Sequence, residues 1–326
     1  MTLSRRELLR AAAIGAAVAM RPSLVPAASR ATVFVVKDVD RAHAVAACFE
    51  AAAFSACEGR EVAVKANFNS ADAFPASTHP DTLRALLGEL KARKAAGLTL
   101  GERSGMGETR RVLTSTGAAD VLHAAGARMV VLDEVDRDGW REFRGGHWSQ
   151  GLYAARLFAE APCAVQTMCC KTHRFGGHVT LSLKNTVGVV AKRVPGIGHD
   201  YMRELHGSQH QRAMIAEANL AWRPALNVMD CLEAFVDGGP EEGTRAVPGL
   251  FLASTDRCAL DAAAIALLRL HGMQGTAASG RIGSTAQLKR ALELGIGVPP
   301  TAVSVVPVTV AARDAATRIA EQLARG

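Results

Sequence analysis

The stretch CAVQTMCCKTHRFGGHVTLSLKNTVGVVAKRVPGIGHDYMRELH, Cys163 to His206, decides how this chain is read. It opens with a short apolar run, Cys163–Cys170, of the length and composition of a strand buried on both faces. The run breaks at Lys171-Thr172-His173, and Gly176 and Gly177 follow. His178-Val179-Thr180-Leu181-Ser182-Leu183-Lys184-Asn185 then reads as the start of a helix over 180–191, and Pro195-Gly196-Ile197-Gly198 leads to His199 and His206. Lysines, histidines and hydroxyls crowd among small residues with few acids. A solvated surface rarely has that composition, so the segment marks a site without naming its reaction.

Outward from this segment, strand and helix patterns alternate. Strands are expected at 31–36, 61–65, 98–100, 128–132, 163–170, 224–229, 250–253 and 302–309. Helices are expected at 40–53, 80–93, 107–115, 118–125, 209–220, 257–270, 284–293 and 311–324. Such alternation implies an α/β fold, a largely parallel open sheet with helices on both faces. Trp140 and Trp148 lie in a polar, glycine-containing stretch read as a small inserted lobe between 134 and 162. No repeat or linker divides residues 31–326, which read as a single domain.

The 326 residues are 49% hydrophobic and 21% charged, enough for a sizeable core. Of the formal charge of +7, residues 1–30 contribute +4 through Arg5, Arg6, Arg10, Arg21 and Arg30 against Glu7. The small remainder gives no reason to expect nucleic acid as a partner. Ser4-Arg5-Arg6-Glu7-Leu8-Leu9-Arg10 followed by AAAIGAAVAM reads as a twin-arginine signal peptide cleaved near Val25-Pro26-Ala27. The expectation is export to the periplasm, with the twin-arginine translocase as a transient partner. The apolar stretch is too short to span a bilayer, and no stable membrane insertion is expected.

The seven cysteines form no C-x-x-C and no ferredoxin-like run, so an iron–sulfur cluster is not expected. They read as small buried residues, with Cys48 and Cys57 the one local pair to check for a disulfide. No P-loop, no G-x-G-x-x-G after a strand and no G-x-S-x-G elbow is present.

Five apolar strands run into polar residues: Lys65/Asn67/Asn69, Glu102/Arg103/Ser104, Lys171/Thr172/His173, Asp230 and Ser254/Asp256. Parallel sheets bind ligands outside the carboxyl ends of their strands, so these sets are expected to share one edge. A buried lysine needs an anion or a hydrogen-bond cage. Lys65, Lys171 and Lys184 therefore point either to a small anionic ligand or to internal pairing with Asp230, Asp256 or Asp261. The expected roles are Lys171, His173 and Lys184 in catalysis, and Lys65, Asn67, Asn69, Thr180, Asn185, Asp230 and Asp256 in ligand binding. His173 and His199 are expected to move protons or to hold a divalent metal, although their spacing is not a standard zinc spacing. Asp256 reads equally as the N-cap of the helix that follows.

V-K-A-N-F-N at 64–69, T-H-P at 78–80, C-K-T-H at 170–173, V-T-L-S-L-K-N at 179–185 with Gly188, His199, M-D at 229–230, G-G-P at 238–240 with Gly243, and A-S-T-D-R-C-A-L-D at 253–261 together resemble the domain-of-unknown-function 362 family. Members commonly carry a K-x-N-x-N strand end, a K-T-H strand end, a T-G-x-x-K-N helix and a D-P-V-A-x-D segment. Here Leu181 or Ser182 stands where a glycine is usual, and Arg257 where a proline is usual. The ferredoxin-like module of many relatives is absent, so the resemblance implies no electron-transfer role. Some relatives are similar in architecture to nickel-pincer lactate racemases, which also place lysines and histidines in a cleft. Two functions remain open at this stage: an exported enzyme acting on an anionic organic ligand or using a metal cofactor, and a non-catalytic periplasmic protein that carries such a ligand or metal or assists its maturation.

Overall fold

A computed structural model of the chain describes residues 30–174 and 178–325. The twin-arginine segment and the Gly176-Gly177 break lie outside the described residues.

The chain begins with β1 (Ala31–Val36), α1 (Arg41–Ala51), β2 (Glu61–Lys65) and α2 (Pro80–Ala92). It continues through β3 (Gly97–Glu102), α3 (Thr109–Ser115), α4 (Ala118–Ala124) and β4 (Arg128–Val131). A hairpin, β5 (Trp140–Phe143) and β6 (Leu152–Ala155), precedes α5 (Arg156–Ala159), β7 (Cys163–His173), β8 (His178–Thr180) and α6 (Ser182–Asn185). Then come α7 (Tyr201–Gly207), α8 (Gln211–Ala218), β9 (Leu226–Gly238), β10 (Gly243–Ala246) and β11 (Leu250–Ser254). The chain closes with α9 (Arg257–Leu270), α10 (Ala286–Glu293), β12 (Val303–Pro307) and α11 (Arg313–Arg325).

Local chemistry explains the helix starts. The Asp40 carboxylate accepts from the backbone N–H groups of Ala42 and His43, capping α1. Pro80 opens α2 in the first turn, where its missing N–H costs nothing, and the cap is His79 Nδ1, which accepts from Asp81 N at 3.1 Å.

The strands form one open sheet in the order β12-β1-β11-β9-β7-β2-β3-β4, with β10 added to β9 and β8 to β7. Every pairing along that path is parallel except those of β11, which runs against both β1 and β9. The α/β class and the mainly parallel sheet match the sequence expectation. β7 lies mid-sheet, and all of its residues are buried. One face of the sheet packs Val62, Val64, Val165 and Val228 beneath α1 to α4. On the other face, Val33, Val35, Met168 and Leu252 meet α9 and α11, while Ala63 and Ala164 meet the β5–β6 lobe, α5 and α8. Each large aliphatic side chain so buried contributes on the order of 1.5–3 kcal/mol.

Three expectations need correction. β7 and β9 run past their expected ends, because antiparallel β8 and β10 extend the ladders as far as His173 and Gly238. Lys171, Thr172, His173 and Asp230 are thus inside strands rather than after them. The expected helix over 180–191 is the last residue of β8, the single turn of α6 and a 3-10 turn over Thr186–Val189. Finally, β11 is reversed, so Ser254 pairs with Asn227 at the opening of β9 and Asp256 emerges at the opposite edge of the sheet. There Asp256 caps α9, accepting from Ala259 N at 2.8 Å and from Val298 N at 3.0 Å. It is not a ligand-binding residue at the edge shared by the other sets.

Candidate functional site

The carboxyl ends of β2, β3 and β7, together with α6, the 3-10 turn and loop that follow it, and α7, enclose a cavity of about 650 Å³. That is within the range that holds a small organic ligand. Among the residues expected from sequence, Lys65, Asn67, Asn69, His173, Thr180, Lys184 and Asn185 line it.

Lys65 ends β2 and points at the end of β3. Its Nζ donates to Glu102 Oε1 at 2.5 Å and to Ala66 O at 2.6 Å. The pair is almost wholly buried. Burial pulls the Lys65 ammonium below its ordinary range and pushes the Glu102 carboxyl up, and their mutual attraction opposes both shifts. Gly188 lies over the pair so closely that a Cβ there would sit 2.7 Å from Lys65 Cε.

The walls are set by backbone contacts. Asn67 and Thr78 are tied by N–H donation in both directions, at 2.9 Å and 2.8 Å. Asn69 O accepts from Met106 N at 2.8 Å, which brings the loop after β3 onto the loop after β2. Ser104 Oγ donates to Phe68 O at 2.7 Å in the same seam.

Lys184 sits on α6, whose first N–H groups, those of Ser182 and Leu183, donate to the Asp261 carboxylate at 2.8 Å and 3.1 Å. Asp261 is therefore committed to this turn rather than to a lysine. A buried amide network fixes the other side of α6: Asn185 Nδ2 donates to Gln166 Oε1, and Gln166 Nε2 donates to Asn227 Oδ1 and Ser182 Oγ. The Lys184 ammonium has no hydrogen-bond or ion-pair partner among the described residues. Desolvation, followed by repulsion from Arg212, Lys171 and Arg103, brings its pKa down to about 7.

Charge in the cavity is unbalanced. Its acids are Glu102, Asp133 and Asp200. Each faces a cation on the same wall: Glu102 with Lys65, Asp133 with Lys192 at 3.3 Å, and Asp200 with Arg193 at 2.8 Å. Arg103, Lys184 and Arg203 also line the cavity and form no ion pair of their own among the described residues, with Arg103 attracted only through space by Asp133 and Glu102. The guanidinium of Arg103 uses Nη2 on Val187 O and Met202 Sδ and leaves Nε and Nη1 without a partner. Asn67 Oδ1, Asn185 Oδ1, Thr180 Oγ1 and Glu102 Oε2 are also buried and unpartnered. An unpaired buried polar group costs about 1–3 kcal/mol, so such a concentration on one wall marks a place where a ligand completes the bonding.

Four residues expected in the site lie elsewhere. Lys171 is fully buried, and its Nζ donates to the carbonyls of Ala76 and Pro240. It braces the wall through those two carbonyls and is not among the residues that line the cavity. Asp230 accepts from Thr82 Oγ1 at 2.6 Å and from Arg41 Nε at 3.0 Å, joining β9 to α1 and α2. Asp256 is at the far edge, as described above. His199 borders a separate shallow depression, where Nε2 meets Glu204 Oε2 at 2.7 Å, so it shares no cavity with His173. Among the described residues, no group of three or more His, Cys, Asp or Glu side chains is placed to hold a metal ion. A divalent metal on His173 and His199 does not fit this geometry. The seven cysteines are buried free thiols, Cys48 and Cys57 included.

The cavity also contains residues that sequence reasoning did not assign. Glu102 and Arg103 stood out only as a polar strand end, and Gly188 only within the family motif. Lys192, Arg193 and Asp200 come from a loop with no periodic signal, and Arg203 and His206 from the short helix α7 that Asp200 caps. No helix among the described residues is long and apolar enough to cross a membrane.

With lysine-bearing strand ends, a K-N turn and a glycine laid over the central ion pair, the chain belongs to the family described as Domain of unknown function (DUF362), which matches residues 62–266. No curated protein matches the chain in sequence. Among solved structures, the lactate racemase apoprotein from Thermoanaerobacterium thermosaccharolyticum is similar at 16% identity with a TM-score of 0.43. The match covers 62% of this chain and half, 50%, of that one.

Proposed function

We propose that this protein is an exported enzyme whose cavity binds a small organic anion, with Lys184 as its acid–base group. The observation that carries this reading is the unpaired Lys184 ammonium, set among cations on a wall whose acids are already partnered. An anion supplies the missing charge. Lys184 titrates near neutrality, where a general acid–base group works best. Asn67, Asn185 and Thr180 offer unpartnered oxygens to hydroxyl or amine groups of the ligand. His173, on the same wall, is the second candidate for proton transfer.

Export by the twin-arginine route and residence in the periplasm are part of the same proposal, supported by the Arg5-Arg6 motif. Replacing both arginines by lysine should retain the protein in the cytoplasm; unchanged export would remove this part.

The cavity is tested by calorimetric titration with glycerate, malate and citrate. The wild type should bind at least one of them. Lys184→Met should weaken that binding about ten- to a hundredfold, the equivalent of losing a charge-assisted contact. Lys91→Met, on the exposed face of α2, should bind as the wild type does. If no anion binds, or if Lys184→Met binds equally well, the reading fails.

A further inference from the structure

We propose that Lys184 is an imine-forming lysine, whose amine condenses with the carbonyl of a small oxo acid while Arg103 receives the acid's carboxylate. The proposal rests on the anion-binding reading of the cavity and specifies its substrate class.

Three lysines point inward from this edge, and two are spent. Lys65 Nζ is bound to Glu102 and to a backbone carbonyl, and Lys171 Nζ is sealed against the carbonyls of Ala76 and Pro240. Lys184 alone of the three faces the cavity without a partner. A lysine nucleophile needs a free lone pair, which desolvation and neighbouring cations provide. Both are present around Lys184, and near neutral pH a large share of the amine is unprotonated.

Arg103 explains why the carbonyl compound should be an acid. It is buried, lies close enough to repel Lys184 and keeps Nε and Nη1 unpartnered. Each of these N–H groups can give a carboxylate one charge-assisted hydrogen bond, Nε from one edge of the guanidinium and Nη1 from the other. A carboxylate there also offsets the positive charge of an iminium on Lys184. Asn67 Oδ1 and Asn185 Oδ1 are acceptors awaiting donors, which favours a ligand bearing hydroxyl groups.

The step balances without an oxidant. The Lys184 lone pair attacks the carbonyl carbon, and the π pair moves to oxygen, which takes a proton. The resulting carbinolamine gains a second proton on its hydroxyl and loses water as the nitrogen lone pair forms C=N. The proton lost from nitrogen returns to the site. Glu102 lies in the same cavity with Oε2 unpartnered, and burial holds its carboxyl above the usual range, so it suits the role of proton carrier.

The test traps the imine. The full chain is incubated with pyruvate or hydroxypyruvate and cyanoborohydride, then digested and mapped by mass spectrometry. The expected result is a single reduced adduct on the peptide containing Lys184. Its formation rate should rise with pH to a midpoint near 7, far below that of surface lysines. Lys184→Arg should lose the adduct; should that variant not fold, the wild-type peptide map decides alone. Label distributed over surface lysines, or no label, overturns the proposal. Glycerate, which has the carboxylate but no carbonyl, separates the two readings by thermal shift. Stabilisation by glycerate without an adduct leaves the anion site standing and removes the imine. No stabilisation by glycerate or hydroxypyruvate, and no adduct, removes both.

Discussion

Lys65 Nζ lies 2.5 Å from Glu102 Oε1, and this contact joins the ends of two neighbouring strands on the floor of the cavity. Both side chains are nearly inaccessible to water, so each is the condition for the other's charge. Removing one partner of a buried pair typically costs about 3–5 kcal/mol, whereas replacing both by apolar groups is often near neutral. Lys65→Met should therefore be strongly destabilised in urea unfolding at neutral pH, and the Lys65→Met/Glu102→Leu double variant should recover most of the loss. The sign of the pH dependence follows from Glu102. Without Lys65, its folded-state pKa is higher still, so the single variant should lose stability as pH rises above the ordinary value of 4.5. A single variant with wild-type stability would mean that the pair contributes nothing.

Gly188 is the steric complement of that pair. A Cβ at this position would lie 2.7 Å from Lys65 Cε and 2.8 Å from Lys65 Nζ, with Glu102 Oε1 at 3.1 Å. Lys65 is locked by its own hydrogen bonds and has little room to withdraw. Gly188→Ala should cost about 1–3 kcal/mol by overpacking, and should weaken anion binding because the floor shifts. Paired measurements of unfolding free energy and glycerate titration check this. A variant with unchanged stability and affinity would show that the lysine moves aside freely.

The sheet was legible from sequence because its central strands are short apolar runs ending in polar residues, and because Pro80 and Asp40 mark helix starts. α9 matches the expected span of 257–270 residue for residue, since its apolar, alanine-rich run is too long for a strand and Asp256 caps it. The reversal of β11 was not legible. An antiparallel strand buried on both faces has the same composition as a parallel one, and that ambiguity misplaced Asp256. Likewise, strand-end position identified Lys65 and Lys171 alike, but the carbonyls of Ala76 and Pro240 that take up Lys171 Nζ are 95 and 69 residues away in sequence, so its bracing role required the tertiary structure. The loop over 190–200 and the two-turn α7 after it are too short to carry a periodic signal, so their share of the site required the tertiary structure.

Lys184 makes stability depend on pH in a defined direction. Its folded-state pKa is depressed to about 7 from an ordinary value of 10.5, so between these values the folded protein binds fewer protons than the unfolded chain. Stability should therefore rise as pH increases across that window and level off on either side. Lys184→Met removes the titrating group and should flatten this part of the profile, with its advantage over the wild type greatest below pH 7. Urea midpoints for both proteins across the window check the slope. Parallel profiles would show that Lys184 keeps an ordinary pKa, and would weaken its role as an acid–base group.

Asp230 separates structure from site. Oδ2 accepts from Thr82 Oγ1 at 2.6 Å and from Arg41 Nε at 3.0 Å, while Oδ1 accepts from Leu232 N at 3.0 Å. These bonds fasten α1 and α2 to β9 beneath one face of the sheet and touch nothing that lines the cavity. Asp230→Ala orphans the Thr82 hydroxyl and the Leu232 N–H in a buried setting, at about 1–3 kcal/mol for each group. Arg41, which keeps some exposure, is partly rehydrated and adds less. The variant should unfold at a lower urea concentration, yet bind glycerate and form the Lys184 adduct as the wild type does in conditions where it remains folded. If folded Asp230→Ala loses anion binding, the aspartate acts on the cavity after all, and the boundary drawn between bracing and lining residues is wrong at this position.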